Sequence, residues 1–379
     1  MIRTKLNNLP TSIFTVMSDM AQEHDAINLA QGFPNFESDP ILIELVAKAM
    51  RDGYNQYAPM AGDLGLRKII SNKTEALYSK KYNPRTEVTI TAGATQAIFT
   101  AIAATINIGD EVIIFTPAYD CYEPTIRLFG GVAVSIQLMS PTYHPDWDEV
   151  SNKITSKTKM IIINTPHNPS GTLFSESDMR QLEDLAEKHN LIVISDEVYE
   201  HIVFDGELHH SASKFPKLAL RSFIIGSFGK TFHNTGWKMG YCIASEKLTK
   251  EFQKVHQYNV FCANHPIQKA LATYMEEPNN YLGLSAFYQE KRDFFLNLLK
   301  DSRFKISPSK GTYFQLLNFS EISSESDVTF AERLTKENKV AIIPTSVFNA
   351  NKEDFKQVRV CFAKKEETLI EAASILNQI

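Results

Sequence analysis

Seven short apolar runs rich in β-branched residues constrain this chain most: VTIT (88–91), EVIIFT (111–116), VAVSIQL (132–138), MIIINT (160–165), LIVISD (191–196), FIIGS (223–227) and GYCIA (240–244). They are continuous rather than alternating in polarity, the pattern of strands buried on both faces. Helix-forming stretches lie between many of them. TQAIFTAIAATIN follows the first run, and SESDMRQLEDLAEKHN follows the fourth, with Ser175 and Asp178 spaced as in a capping box. Strand alternating with helix predicts an α/β fold, a mostly parallel seven-stranded sheet with helices on both faces. Past about residue 280 the texture changes. YQEKRDFFLNLLKDS reads as an amphipathic helix, GTYFQLLNF as a strand, FAERLTKENKVAIIP as a helix entering a strand, and QVRVCFAKKEETLIEAASILNQI as a strand and terminal helix. These predict a smaller α+β domain.

A chain of 379 residues, 43% hydrophobic and 22% charged, can bury a large core and a second smaller one. Its net charge of -5 offers no basic stripe for a phosphate backbone, which argues against nucleic acid as a partner. Cys121, Cys242, Cys262 and Cys361 are far apart and form no C-x-x-C pair, so neither a zinc site nor a disulfide framework is expected, and a reducing, cytoplasmic setting fits. Asn, Pro, Asp and Glu interrupt the opening segment before a leader core forms, and no apolar run has the length of a membrane span.

In an open α/β sheet, ligands bind beyond the carboxyl ends of the strands. The first run ends in TAGATQ, where Gly93 permits close backbone approach and the N–H groups of Ala94 and Thr95 open a helix, a candidate anion site and equally an ordinary strand-to-helix turn. The fourth ends in NTPHNPSGT, the fifth in SDEVYEHIVFDG with Asp196, Glu197 and Tyr199, and the sixth at Ser227, three residues before Lys230. Gly229-Lys230-Thr231 resembles the tail of a P-loop. The glycine that a P-loop needs five residues before Gly229 is Ile224, so Lys230 is instead a candidate reactive amine. An amine, a carboxylate, an amide with a phenol, and free N–H groups together suit one small molecule. Pyridoxal 5'-phosphate offers an aldehyde, a ring nitrogen, a ring hydroxyl and a phosphate to match.

From NLAQGFPNF (28–36) through NQYAP, TAGATQA, NTPHNPSGT, SDEVYEHIVFDG and SFGKTFHNTGWKMGY to VRVCFAK (358–364), the sequence resembles the class I aminotransferases, fold-type-I pyridoxal phosphate enzymes. Within them it is similar to the branch of methionine aminotransferase and glutamine transaminase K (kynurenine aminotransferase). The expected division is a cofactor-binding α/β domain over 38–280 and a small domain built from 1–37 and 281–379. The resemblance makes Lys230 the Schiff-base lysine and Asp196 the partner of the pyridine nitrogen. It puts Asn168 and Tyr199 on the ring oxygen and Tyr119 on the ring face, with Gly93, Ala94, Thr95, Ser227 and Lys238 around the phosphate. Arg359 would grip the substrate carboxylate, near Asn168, Gly32 and Phe14. A homodimer is implied, with Tyr57 reaching the phosphate and Phe261 the substrate in the neighbouring subunit's site. Lys238 stands where many of the class have arginine, and Thr95 where kynurenine-type members have an aromatic residue. The second departure points to the methionine type.

The implied reaction moves an amino group from methionine, or another neutral or aromatic amino acid, to a 2-oxo acid in a ping-pong cycle. A cysteine-conjugate carbon–sulfur β-lyase on the same scaffold is the alternative. A transcription regulator would need a basic helix-turn-helix domain, for which little room precedes residue 88, and a nicotinamide dehydrogenase would need a G-x-G-x-x-G turn that is absent. His209 and His210, an adjacent pair on a loop, are expected to be exposed rather than metal-binding. His167 has two readings, a turn residue or a cofactor neighbour. Asp196 and Glu197 should face opposite sides of the strand.

Overall fold

The computed structural model describes residues 4–6 and 9–379. Seven strands form the main sheet: β1 (Val88–Thr91), β2 (Glu111–Thr116), β3 (Val132–Gln137), β4 (Thr158–Asn164), β5 (Ile192–Asp196), β6 (Ser222–Ser227) and β7 (Gly240–Ile243). Their order is β1-β7-β6-β5-β4-β2-β3. β7 runs antiparallel to β1 and β6, and the other pairs are parallel.

Burial on both faces is visible residue by residue. Ile113, Ile161, Ile163, Val193 and Ile224 pack on one side with Met179, Leu182 and Ala186 of the helix Glu176–Lys188. Their neighbours Val112, Ile114, Met160, Ile162, Ile194 and Ile225 pack on the other with Ala97, Ile98 and Ala101 of the helix Ala94–Thr105. Alternation along each strand thus divides one continuous apolar run between two cores. Ser175 caps its helix as expected, with Ser175 Oγ accepting from Asp178 N and the Asp178 carboxylate accepting from Ser175 N.

A third core joins Met17, Leu29 and Ala30 near the start of the chain to residues between Leu284 and Leu376. It surrounds an antiparallel sheet in which Gln357–Cys361 lies between Phe314–Asn318 and Ile343–Pro344. Ile27–Asn28 pairs in parallel with Val340–Ala341. Through these pairings the segment after Asn28 is laid against the end of the Gln357–Cys361 strand, where Cys361 N donates to Leu29 O at 2.9 Å.

Candidate active site

The strand registers bring the chemistry to one edge. Asn164 lies beside Asp196, Asp196 beside Ile225, and Ser227 and Thr91 both beside Gly240. Because β7 is antiparallel, it begins where its neighbours end, which sets Lys238 at the same edge. Gly240 is required there: a Cβ would sit 2.8 Å from Ala94 N and 2.9 Å from Gly226 O. Gly93 takes φ 84 and ψ 166 at the start of the helix Ala94–Thr105, a backbone region that glycine alone enters at little cost.

At this edge is a cavity of about 290 Å³. Phe14, Gly32, Gly93, Ala94, Thr95, Tyr119, Asn168, Asp196, Tyr199, Ser227, Lys230, Lys238 and Arg359 all line it. Tyr57 and Phe261 do not. They stack edge-on with ring centroids 5.4 Å apart, 82% and 43% exposed.

Asp196 ends β5 facing the cavity. Its Oδ2 accepts from the Tyr122 hydroxyl at 2.5 Å, while Oδ1 is buried with no partner. Burial pushes this carboxyl up to about 6. Asn164 donates from Nδ2 to Asp196 O at 2.9 Å and accepts from Asn168 N at 2.8 Å, so one amide fixes the loop that carries Asn168. Lys230 follows β6 on a short helix capped by Ser227, whose Oγ accepts from Lys230 N at 3.3 Å. Its Nζ donates to Gly32 O at 3.2 Å and has no carboxylate at ion-pair distance among the described residues. Burial lowers this amine to about 8.

Arg359 closes the opposite end. It is 1% exposed, donates from Nη1 to Asn168 Oδ1 at 2.9 Å and from Nη2 to Ala30 O at 2.8 Å, and lies 3.9 Å from the Phe314 ring centroid. Its Nε is buried without a partner, and each terminal nitrogen keeps a second N–H. A carboxylate can therefore still be met by two donors of one planar fork. The donor set suits pyridoxal phosphate on this chain's own geometry: the unpartnered Asp196 Oδ1 calls for an N–H donor, and free helix N–H groups beside Lys238 and Ser227 suit a phosphate.

Sequence reasoning did not single out Asn164, Tyr122, Phe33 or Phe314 as site residues. The last residue of the β4 run was a usable signal for Asn164. Tyr122 had none, since its acceptor lies 74 residues away. His167 does not line the cavity. It bonds Ser170 Oγ at 2.7 Å and Pro117 O at 3.0 Å, and burial holds it near 4, a neutral turn residue. The expected exposure of His209 and His210 is corrected: the His209 side chain is 5% exposed and meets Glu197 Oε2 at 2.9 Å, and His210 is half-buried, because the fold carries this loop back against the residue that follows β5. Glu197 also accepts from Ser195 Oγ and Ala212 N, facing away from Asp196 as strand alternation requires.

The sheet order, the antiparallel β7 and a lysine-and-carboxylate cavity at the carboxyl edge define a fold-type-I pyridoxal-phosphate enzyme. The family model for aminotransferase class I and II matches residues 24–376. The chain is 47% identical to the methionine aminotransferase of Escherichia coli (strain K12), over all of this chain and 98% of that one. It is 35% identical to human kynurenine–oxoglutarate transaminase 3, over 98% of this chain and 89% of that one. A crystal structure of an Escherichia coli protein with methionine aminotransferase function superimposes with a TM-score of 0.98 at 46% identity, covering both chains completely. The chain belongs to the class I and II aminotransferase family, and it is a pyridoxal-phosphate-dependent aminotransferase acting on amino acids and 2-oxo acids. No helix among the described residues is long and apolar enough to cross a membrane.

Proposed function

We propose that this aminotransferase takes methionine as its amino donor, with phenylalanine, kynurenine and glutamine also accepted and aspartate poor. The observation that carries this reading is the cavity wall. Its cations are Lys230, Lys238 and Arg359, each with an assigned partner group, and its aromatic lining includes Phe14, Phe33, Tyr119 and Phe314, with Phe14 and Phe314 against Arg359. A thioether or aromatic side chain gains roughly 25 cal/mol per Å² on leaving water for such a wall. A second carboxylate would be desolvated with no cation to meet it. The names of the relatives, one a methionine aminotransferase and one a kynurenine–oxoglutarate transaminase, support the same donor class.

In this proposal Lys230 is the catalytic base and acid. An amine held near 8 is partly unprotonated at neutral pH, so it can take a proton from the substrate Cα and return it on the next step. Pyridoxal phosphate, when bound, supplies an aldehyde and an electron-accepting ring that carries the amino group between the two substrates. Asp196 would meet its ring nitrogen, Asn168 and Tyr199 would meet its ring oxygen, and Tyr119 would cover its face. Gly93, Ala94, Thr95, Ser227 and Lys238 would hold its phosphate. Arg359 orients the substrate carboxylate, and Gly32 leaves room beside it, since a Cβ there would lie 2.6 Å from the Phe314 ring.

The proposal includes a homodimer. Tyr57 and Phe261 form an exposed aromatic pair outside their own cavity, as expected of residues that complete a neighbouring site. Mixed Lys230→Ala and Tyr57→Phe subunits should regain part of the activity both lack alone, and light scattering that found a fully active monomer would remove the claim. A panel of amino donors ranked by kcat/KM tests the substrate. Methionine should lead, and a preference for aspartate would overturn the reading.

A further inference from the structure

We propose that Lys364 is a positioning residue that sets donor specificity by fixing Phe33 as a wall of the substrate end of the cavity, an inference resting on the apolar-donor reading above. Lys364 is 2% exposed, and no ion pair to it exists among the described residues. Its ammonium has left water without meeting a carboxylate, which costs free energy unless other groups replace the solvent. The replacement is a single residue used twice. Nζ donates to Phe33 O at 2.9 Å and lies 4.7 Å from the Phe33 ring centroid. A charge-assisted hydrogen bond fixes the backbone, and cation–π attraction fixes the ring plane.

Lys364 is itself held from both sides. Its N donates to Phe362 O at 2.7 Å, and its O accepts from Lys291 Nζ at 3.1 Å. Phe33 lines the cavity but is 39% exposed, so packing alone does not immobilise it. The residue before it, Gly32, accepts from Lys230 Nζ. Without Lys364 the ring is free to turn out to solvent and the wall is lost. A large apolar side chain then binds less tightly, whereas alanine, too short to reach the wall, is unaffected.

The test uses the holoenzyme of wild type and Lys364→Met. For the variant, KM for phenylalanine and the dissociation constant of 3-phenylpropionate, read by titrating cofactor absorbance, should each rise roughly tenfold, as for loss of a small apolar contact. The kcat values, the constants for alanine and the cofactor affinity should stay within about twofold. An equal fall in all constants, or no change, overturns the assignment. If Lys364→Met does not fold, Phe33→Ala, which keeps the carbonyl bonded to Lys364, must show the same rise, and an unchanged KM overturns it. A wild-type enzyme that does not prefer phenylalanine to alanine refutes the apolar-donor reading and this proposal with it. If wild type discriminates and Lys364→Met discriminates equally, the donor reading stands and the role of Lys364 falls.

Discussion

The two sides of the β5 end handle buried charge in opposite ways. On the cavity side, Asp196 and Lys230 are both desolvated and, among the described residues, neither is paired with a counter-ion and Asp196 Oδ1 has no partner: the acid rises to about 6 and the amine falls to about 8. On the reverse side, Lys73 and Glu200 are both buried and in direct contact, with Tyr241 within 2.7 Å of Lys73 Nζ and Tyr78 3.0 Å from Glu200. Lys73 and the neighbouring hydrogen bonds hold the Glu200 carboxyl below its usual range against the opposing effect of burial. Burial drives His201 down to about 3, so it joins that network uncharged. Gly226 makes the arrangement fit, because a Cβ there would lie 2.1 Å from the Tyr241 ring. Closed networks hold structure, and open ones with pKa values drawn toward neutrality do chemistry.

Substitutions on the two sides should therefore fail differently. Lys230→Ala should lower transamination by about a thousandfold or more, since one group is proposed to serve as both base and acid. Borohydride should no longer fix the cofactor to the peptide holding residue 230. Folding should survive, because an amine buried without a counter-ion has been removed; a variant near wild-type rate would break the comparison.

Lys73→Met should do the reverse. Leaving Glu200 buried and unpaired costs about 3–5 kcal/mol of stability, read by urea unfolding. Turnover per folded site should remain close to wild type at low temperature. If stability is unchanged and kcat collapses, the reverse-side network acts on the chemistry and the distinction fails.

The smallest effect is also the sharpest in sign. Asp196 has a folded pKa of about 6, raised above the ordinary 3.8 by burial, so the folded apoprotein binds its proton more tightly than the unfolded chain. That contribution to stability is fully present below about pH 4 and is lost as pH rises to about 6, at a cost on the order of 3 kcal/mol. Asp196→Asn apoprotein should consequently be more stable than wild type above pH 6, with the difference gone below pH 4. The same variant loaded with cofactor should lose most turnover, as an amide cannot stabilise a charged ring nitrogen. Denaturant curves of the apoproteins across pH decide it, and a variant less stable at pH 7 would show that Asp196 is paired by something other than Tyr122.

Much of this was legible beforehand, for a reason particular to the fold. Parallel strands must end at one edge, so Asp196 after LIVISD and Ser227 and Lys230 after FIIGS had to approach each other once the runs were recognised as strands. Side-chain alternation sent Glu197 to the other face of the same strand. Local chemistry gave the Ser175 capping box and the helix that opens at Ala94.

What only the tertiary structure decided are contacts between segments whose spacing carries no period. Arg359 meets Asn168 across 191 residues and Ala30 across 329, and Lys364 reaches Phe33 across 331. The burial of His209 against Glu197 and the bond from Tyr122 to Asp196 depend on where loops close over the sheet. Hydrophobic periodicity states which face of an element is buried. It does not state what that face is buried against, because that is settled by how separately formed layers pack, and packing is a property of the whole chain.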